Sequence, residues 1–542
     1  MTRVSSVLLG DEAIALGAIH SGLSGVYGYP GTPSTEIFEA VQNFDKKKKS
    51  VHSVWSTNEK VAFEEALGMS FAGKRALITM KHVGLNVAAD PFMNSAITGV
   101  NGGLILAVAD DPSMHSSQNE QDSRYFADFA LIPCLEPGNQ QDAYDMTMQA
   151  FALSEELNVP VMLRLTTRLA HSRANVQVNE ESAPQNDLDP SHDRRKWTLL
   201  PSNARINYRK LTAAQPAFRE KSEQSEYNEL TLNAGVTKGI IVCGLATNYI
   251  YENLPENQDE YSILEIKQYP APVEKIRKLV ESVNEIYVIE EGYPYIETHL
   301  TGYLGLHKKE VYGRLTGHLP RTGELDPNLV DTMLNGSEAK FSFDPQDIAG
   351  RPPQLCSGCP HTDTYNALTE AMNLHPDGHV FGDIGCYTLG ALPPYNAIET
   401  CVDMGASISM ANGAAHAGVR PSVCMIGDST FTHSGMTPLL DAASENSPIT
   451  VFIMDNSTVA MTGGQPTFGS GDRLLTIVKG LGVPEDHIVI MEPVPKKHDE
   501  NVGLIQKELK HEGVSVIIAQ RICIEEIKAQ KKRERVEVLP PL

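Results

Sequence analysis

The chain has 542 residues, of which 41% are hydrophobic and 21% charged, and its formal net charge is -23 at pH 7. This length predicts about three globular domains with ample apolar material for their cores. The negative charge excludes nucleic acid and anionic membrane surfaces as expected partners, because both repel an acidic protein. No apolar stretch reaches bilayer length and no secretory signal core is present, so we expect a cytoplasmic protein that does not contact membrane.

Residues 1–171 alternate strand and helix patterns, which is typical of an α/β domain. The pattern predicts a helix over residues 10–23 and a short strand over residues 25–30. The strand leads into the Gly-Thr-Pro-Ser motif at residues 31–34. A threonine hydroxyl and backbone N–H groups at the start of a helix form a good anion site, so this motif is a candidate binding loop.

Glu59 begins a further predicted helix, and strands over residues 76–80 and 103–109 follow it, each ending in a polar loop. His82 and His115 lie in these loops. Either histidine could handle protons or bind a substrate carboxylate, and an ordinary exposed loop histidine is the alternative for both.

The rest of the chain contains two more α/β segments. Residues 172–235 are polar, contain several prolines and lack sustained periodicity, which predicts a linker. Residues 236–330 form the second predicted domain and residues 350–530 the third, with a tail over residues 531–542. We therefore expect an α/β protein of three domains.

Two motifs in the third segment follow apolar runs that we interpret as buried parallel strands over residues 423–426 and 449–454. A Gly-Asp-Ser motif occupies residues 427–429, and an Asp-Asn-Ser-Thr motif occupies residues 455–458. The carboxyl ends of such strands are where open α/β sheets bind ligands. An ordinary βαβ unit with polar loop ends is the alternative. The presence of both motifs, separated by a helix-length spacer, favours a metal-diphosphate site of the kind found in thiamine diphosphate enzymes.

The chemistry of these residues suits Mg²⁺ bound to a diphosphate. Gly427 allows a phosphate to approach the backbone closely. Asp428 and the side-chain amide of Asn456 offer hard oxygen ligands, and the backbone carbonyl of Thr458 is a possible third.

The cysteines divide into two groups. Cys356 and Cys359 form a C-x-x-C pair, Cys386 lies in a glycine-rich segment, and Cys523 follows the last predicted strand. Thiolates in these positions suit zinc, a redox disulfide or an iron-sulfur cluster, and spacing alone does not separate the three. The other four, which sit in apolar surroundings and are interpreted as core residues or weakly reactive thiols, are Cys134, Cys243, Cys401 and Cys424.

The motifs at residues 31–34, 111–122, 356–361, 382–390 and 461–465 resemble the large subunits of the indolepyruvate ferredoxin oxidoreductases, within the 2-oxoacid ferredoxin oxidoreductase superfamily. The match extends over nearly the whole chain. It implies two doubly wound parallel-sheet domains of the thiamine-diphosphate-binding type. The first would bind the pyrimidine ring, the third would bind the diphosphate, and a domain like the carboxyl-terminal domain of transketolase would lie between them in the sequence.

The resemblance also implies roles for single residues. Glu59 matches the glutamate that hydrogen-bonds the aminopyrimidine ring and controls a proton. The alternative is that Glu59 only provides a negative charge at the amino terminus of a helix. Thr32 matches a hydroxyl near the substrate carboxylate, with a helix cap as its alternative. His82 joins them as a candidate catalytic residue. The residues implied to line the cofactor are Asp383, Gly405, Ser407, Gly427, Asp428, Ser429, Asn456 and Thr462; Asp428, Asn456 and Thr458 are the implied magnesium ligands.

By the same resemblance, Cys356, Cys359, Cys386 and Cys523 are ligands of a 4Fe-4S cluster, with structural zinc as the alternative. The implied activity is oxidative decarboxylation of a 2-oxoacid, with an arylpyruvate such as indolepyruvate as the leading substrate. Coenzyme A would capture the acyl group while electrons leave through the cluster. A non-oxidative thiamine diphosphate decarboxylase or ligase is the first alternative, and a catalytically silent scaffold subunit is the second.

The sequence departs from the family in one respect. The usual large subunit continues into a ferredoxin-like domain with two further clusters, whereas this sequence ends at Leu542. We therefore expect the electrons to pass to a partner subunit or to an external acceptor, either ferredoxin-like or a flavoprotein. The resemblance further implies a smaller β subunit and a dimer of heterodimers.

Overall fold

The computed structural model describes residues 3–189, 194–254, 258–302, 309–337 and 354–537. The chain divides into two compact units, an amino-terminal unit of residues 1–344 and a carboxyl-terminal unit of residues 345–542. The predicted domain start at residue 350 and the end of the predicted tail lie outside the described residues. A search of the described helices finds none with the length and apolar character needed to cross a membrane.

The amino-terminal unit contains three sheets. Its strands are β1 (Arg3–Leu9), β2 (Gly25–Gly28), β3 (His52–Ser53), β4 (Ala76–Lys81), β5 (Leu104–Asp110), β6 (Cys134–Leu135), β7 (Val161–Thr166), β8 (Arg173–Asn179), β9 (Leu230–Thr231), β10 (Lys238–Cys243), β11 (Tyr261–Ile266), β12 (Gln268–Tyr269), β13 (Glu285–Ile289) and β14 (Glu310–Tyr312). A seven-stranded sheet has the order β12-β6-β7-β5-β4-β2-β3, and a five-stranded sheet has the order β14-β13-β10-β11-β9. Both are parallel except for the antiparallel edge strands β12 and β9, and β1 pairs antiparallel with β8.

The helices of this unit are α1 (Gly10–His20), α2 (Thr35–Asp45), α3 (Glu59–Phe71), α4 (His82–Val87), α5 (Ala89–Thr98), α6 (Arg124–Ala130), α7 (Gln140–Leu157), α8 (Thr167–His171), α9 (Arg194–Trp197), α10 (Pro201–Gln224), α11 (Thr247–Asn253), α12 (Val273–Ser282), α13 (Tyr295–Thr301) and α14 (Pro327–Asn335). The helices cover both faces of the central strands. Ile78 and Leu106 belong to one core cluster, whereas their neighbours Leu77 and Ile105 belong to another. Strands buried on both faces are therefore almost continuously apolar, as the sequence suggested.

The predicted linker at residues 172–235 has more regular structure than expected. It contains β8, β9 and the 24-residue helix α10. Among the described side chains of α10, only Leu211, Phe218 and Ser222 are buried. Because so narrow a strip of the helix faces the protein, its sequence is polar almost all round and carries little helical periodicity.

Buried charges join the two larger sheets of this unit. Arg164 Nε on β7 lies 2.6 Å from Asp110 Oδ2 at the end of β5. Arg124 Nη2 lies 2.5 Å from Asp122 Oδ2, and Arg124 Nη1 lies 2.9 Å from Glu290 Oε2, just beyond β13. All of these side chains are almost fully buried. The network fixes both ends of the segment at residues 111–122, one of the motifs that carry the family resemblance.

The carboxyl-terminal unit has one five-stranded parallel sheet, in the order β15-β16-β17-β19-β18. Its strands are β15 (His379–Gly382), β16 (Ser422–Gly427), β17 (Ile449–Asp455), β18 (Ile488–Met491) and β19 (Ser515–Gln520). Its helices are α15 (Pro360–Met372), α16 (Ala406–His416), α17 (Asp428–Thr430), α18 (Met436–Glu445), α19 (Gly471–Gly480), α20 (His498–Leu509) and α21 (Ile524–Glu537). Gly427 pairs in register with Met454, so the two motifs predicted to bind metal and diphosphate emerge side by side.

Candidate functional site

Asp428 connects the two motifs of the carboxyl-terminal unit. It is the first residue after β16 and is 2% exposed. Its Oδ1 accepts a hydrogen bond from the Ser429 N–H at 2.8 Å, and its Oδ2 accepts one from the Ser457 N–H at 3.0 Å. Asn456 is also buried, and its Oδ1 accepts from the Thr458 N–H at 3.0 Å. The structure therefore brings Asp428, Asn456 and Thr458 to one edge of the sheet.

The electrostatics of this edge fit a divalent cation. Burial, and after it the neighbouring Asp455 carboxylate, raise the pKa of Asp428 well above its usual range. Two buried carboxylates this close favour protonation of one of them unless a cation compensates their charge. Carboxylate, amide and carbonyl oxygens are the donor set that Mg²⁺ prefers. The residues present therefore fit a magnesium ion.

Asp383, Gly405 and Ser407 also lie together. Asp383 Oδ2 accepts hydrogen bonds from the Ser407 Oγ at 2.6 Å and from the N–H groups of Gly405 and Ser407, each at 3.2 Å. Burial raises the pKa of Asp383 to about 6. Gly405 has φ of 92°, and a Cβ there would lie 2.6 Å from the Ser434 Cβ. Asp383 thus holds the start of α16 through backbone and hydroxyl groups.

Tyr387 is a buried residue of this site that sequence reasoning missed. Its hydroxyl donates a hydrogen bond to Asp383 Oδ1. A Cβ on Gly427 would lie 2.8 Å from the Tyr387 ring, and one on Gly385 would also clash with it. The closely spaced glycines around residues 382–385 were the only signal in the sequence that another group approaches the backbone here.

Thr462 belongs to the loop that follows β17. Its Oγ1 donates a hydrogen bond to the Gln465 side chain at 2.5 Å, and the Gln465 carbonyl accepts from Thr458 Oγ1 at 3.1 Å. The Val459 N–H donates to the same carbonyl at 2.9 Å. These hydrogen bonds hold the loop together. Through Thr458 they connect Thr462 to the edge of the sheet where the magnesium ligands are predicted.

We refer to Cys356, Cys359, Cys386 and Cys523 as the cysteine set. Burial, followed by the nearby charge of the other three thiols, raises the pKa of Cys386 to about 12. The Gly358 backbone has φ of 79°, and a Cβ there would lie 3.3 Å from the Ile524 side chain, so the C-x-x-C loop packs beside Cys523. Four residues distant in sequence thus converge.

The spacing of these thiols bears on what they could bind. Among the described residues, three ligand atoms of His, Cys, Asp or Glu lie within 4.8 Å of one another only in a different cluster, and no three sulfurs of the cysteine set do so. A tetrahedral zinc with Zn–S bonds near 2.3 Å needs sulfurs about 3.8 Å apart. No three of these sulfurs are therefore spaced as a tetrahedral zinc requires.

Glu59 is the first residue of α3 in the amino-terminal unit and is buried. The Asn58 side chain caps this helix by accepting from the Val61 N–H at 2.9 Å. Gly84 of α4 provides the space that the Glu59 carboxyl occupies, because a Cβ at residue 84 would lie 2.7 Å from Glu59 Oε1. No periodicity in the sequence indicated this close approach.

Thr32 lies near a buried lysine that the sequence did not single out. Lys81 Nζ, at the end of β4, donates to the Ser116 carbonyl at 2.7 Å and to its Oγ at 3.1 Å, and Ser116 Oγ donates to the Thr32 carbonyl at 3.2 Å. Burial lowers the pKa of Lys81 to about 8, although Asp111 acts in the opposite direction. A lysine so placed can lose its proton near neutral pH. The loop at residues 111–122 thus joins Lys81 to Thr32.

The two candidate histidines have different surroundings. His82 begins α4 and is buried, and its Nε2 lies 3.1 Å from Asn119 Oδ1. His115 is exposed, and its Nε2 lies 3.0 Å from Glu324 Oε2. His82 is therefore held within the candidate site, whereas His115 has the surroundings of a surface histidine.

Two family models match segments of this chain. A family model described as pyruvate flavodoxin/ferredoxin oxidoreductase, thiamine diphosphate-binding, matches residues 16–232. A second, described as the carboxyl-terminal thiamine pyrophosphate-binding domain of thiamine pyrophosphate enzymes, matches residues 383–519. Together they support thiamine diphosphate as the cofactor and cover the segments that contain Glu59 and Asp428.

Similar proteins include the indolepyruvate oxidoreductase subunits IorA of Archaeoglobus fulgidus and of Methanothermobacter thermautotrophicus. Each is 36% identical to this chain, over 95% of this chain and 86% of its own length. A solved 2-oxoglutarate:ferredoxin oxidoreductase from Magnetococcus marinus shares the fold, with a TM-score of 0.50 and 16% identity over 61% of this chain and 65% of its own.

The predicted fold class is confirmed by these matches and by the parallel sheets of both units. The chain therefore belongs to the IorA family of indolepyruvate oxidoreductase subunits, which are thiamine-diphosphate-dependent enzymes of the 2-oxoacid ferredoxin oxidoreductase superfamily.

Proposed function

We propose that this chain, with a smaller β subunit, oxidatively decarboxylates an arylpyruvate such as indolepyruvate and forms the acyl-coenzyme A thioester. Electrons leave through a 4Fe-4S cluster to ferredoxin or another external acceptor. The observation that carries this proposal is the cysteine set. A non-oxidative thiamine diphosphate decarboxylase or ligase has no use for four converging thiols, and no three of their sulfurs are spaced as a single zinc ion requires.

In this proposal Asp428 and the side-chain oxygen of Asn456 hold Mg²⁺, with the Thr458 carbonyl as third ligand. Gly427, Ser429 and Thr462 lie beside the diphosphate. The buried Asp428, already bonded to the Ser457 N–H, supports this assignment because its carboxylate is positioned before any ion binds. Asp383 and Tyr387 act indirectly, by fixing the helix start at Gly405 and Ser407.

When bound, thiamine diphosphate supplies a thiazolium ring that accepts the electron pair released by decarboxylation. Glu59 would hydrogen-bond the aminopyrimidine of the bound cofactor and would control a proton there. Its burial beside Gly84 supports this role, since the surrounding packing fixes the position of the carboxyl group.

Thr32 and Lys81 are proposed to bind the substrate carboxylate. Lys81 Nζ donates to Ser116, which in turn bonds Thr32, so the ammonium and the threonine belong to one hydrogen-bonded group. His82 orients or protonates the substrate from the adjacent helix start. A β subunit, a dimer of heterodimers and a cytoplasmic location complete the proposal, and family membership supports the β subunit.

The proposal is tested by anaerobic iron and acid-labile sulfide analysis of the chain purified with its partner. Electron paramagnetic resonance (EPR) spectra are recorded before and after addition of indolepyruvate and coenzyme A. We expect about four irons per chain and a reduced-cluster signal that needs both compounds. Cys386→Ser should lose iron, while Cys401→Ser should retain it. Cys401 lies outside the cysteine set and is exposed, so its predicted core position was wrong, unlike those of Cys134, Cys243 and Cys424, which are buried. An iron-free, folded protein that still binds thiamine diphosphate would favour the non-oxidative alternative.

A further inference from the structure

Three side chains from separate segments converge in the amino-terminal unit. Asp11 lies in the first turn of α1, Glu36 in the first turn of α2, and His171 at the end of α8. One ligand atom of each lies within 4.8 Å of the other two. None of the three was identified as a candidate in the sequence, and none belongs to the sites described above.

Asp11 is the unusual member of this cluster. Its side chain is 0% exposed, and no donor among the described residues bonds either carboxylate oxygen. Burial, then Glu36 and Glu12, raise its pKa well above the usual range. Burying a carboxyl group with neither oxygen bonded is unfavourable, because the group loses its hydrogen bonds to water and gains none in return. Such a group is retained at low cost when something outside the polypeptide binds it.

Glu36 and His171 are the other two members of the cluster. His171 Nε2 lies 3.6 Å from Glu36 Oε1, and each side chain is 37% exposed. The second oxygen of Glu36, Oε2, is buried and has no hydrogen-bond donor within the described part of the chain. The cluster is therefore buried at Asp11 and open to water at His171, so a small ion could enter and retain water ligands.

We propose that Asp11, Glu36 and His171 bind a divalent transition-metal ion of the Mn²⁺ or Zn²⁺ class. Two carboxylates and one imidazole form a mixed oxygen and nitrogen donor set that suits these ions, and water would fill the remaining positions. Mg²⁺ is a poorer match, because it prefers oxygen ligands alone. The competing explanation is a proton shared between the Asp11 and Glu36 carboxyl groups.

The position of the cluster suggests a structural role. Glu36 follows Thr35, whose Oγ1 accepts a hydrogen bond from the Gly31 N–H at 2.8 Å. An ion at Glu36 would tie the start of α2 to α1 and to the end of α8. It would thereby hold the segment that carries Thr32, without contacting substrate.

The test uses the full-length chain saturated with Mg²⁺ and thiamine diphosphate, titrated with Mn²⁺ at pH 7. Free Mn²⁺ is counted from its six-line EPR signal. Mn²⁺ is chosen because thiolates bind it weakly, so the cysteine set contributes little. We expect wild type to bind one more Mn²⁺ per chain than Asp11→Asn or His171→Gln. His416→Gln is the matched control, since it removes an exposed His–Glu pair, His416 Nε2 to Glu445 Oε2 at 3.1 Å, that has no third ligand.

A second measurement keeps the result independent of folding defects. Mn²⁺ should raise the melting temperature of wild type and of His416→Gln, and should leave that of the other two variants unchanged. His171 is partly exposed, so its variant should fold even if Asp11→Asn does not. Equal Mn²⁺ binding by wild type and His171→Gln, or no binding beyond the Mg²⁺ site, would overturn the proposal in favour of a shared proton.

Discussion

The close approach of Gly84 to Glu59 leads to a test of how Glu59 is positioned. In Gly84→Ala, the added Cβ would lie 2.7 Å from both Cγ and Oε1 of Glu59 and 2.9 Å from its Cδ. Ordinary contact begins near 3.4 Å, so the carboxyl group must move by about 0.7 Å. Because α4 is a helix and alanine suits helices, the backbone itself has no reason to resist the substitution.

A displacement of this size should be costly for catalysis. Misplacing a catalytic group by about 1 Å can lower the rate roughly 100-fold. We therefore expect kcat/KM to fall on the order of 30- to 100-fold, which corresponds to about 2–3 kcal/mol of transition-state stabilisation. Stability should change less, by roughly 1–3 kcal/mol of overpacking.

The assay is 2-oxoacid-dependent dye reduction, together with the exchange rate of the thiazolium C2 proton of bound thiamine diphosphate in D₂O. Both rates should fall in parallel in Gly84→Ala and in Glu59→Gln. Gly68→Ala is the control, because it lies on α3 with Glu59 and its Cβ would meet nothing within 4 Å. The reasoning would be refuted if Gly84→Ala exchanged the C2 proton as fast as wild type. It would also be refuted if Gly68→Ala lost as much of both rates as Gly84→Ala.

Three further predictions concern the buried charges. Asp428→Asn should weaken Mg²⁺-dependent binding of thiamine diphosphate at least tenfold, measured by isothermal titration calorimetry; unchanged affinity would exclude Asp428 as a ligand. Since the pKa of Lys81 is lowered to about 8, its charge is lost above that pH. The kcat/KM for the 2-oxoacid should therefore fall as the pH rises through 8. The Lys81→Met variant should be slow at every pH and should show no such fall. Arg164→Met leaves the buried Asp110 unpaired and should lower the free energy of unfolding by about 3–5 kcal/mol in urea denaturation; a loss under 1 kcal/mol would contradict the network.

The local patterns of the sequence were sufficient for the core of the carboxyl-terminal unit. The apolar runs that became β16 and β17 are buried strands because each is covered on both faces, and their parallel pairing brings the polar motifs after them to one edge. The positions of Cys356, Cys359 and Cys386 near glycines likewise indicated a ligand-binding group. The roles of these residues as ligands remain predictions.

Sequence periodicity failed where contacts are long-range or the buried surface is narrow. Helix α10 was hidden because only a thin strip of it is buried. The approach of Gly84 to Glu59, the burial of Lys81 and the convergence of Asp11 with Glu36 and His171 each join residues from different segments. A sequence by itself determines which residues form strands, turns and polar strand ends, because those preferences are local. Only the packing of helices against the sheet decides which distant side chains lose water together, and that desolvation sets their charges and their chemistry.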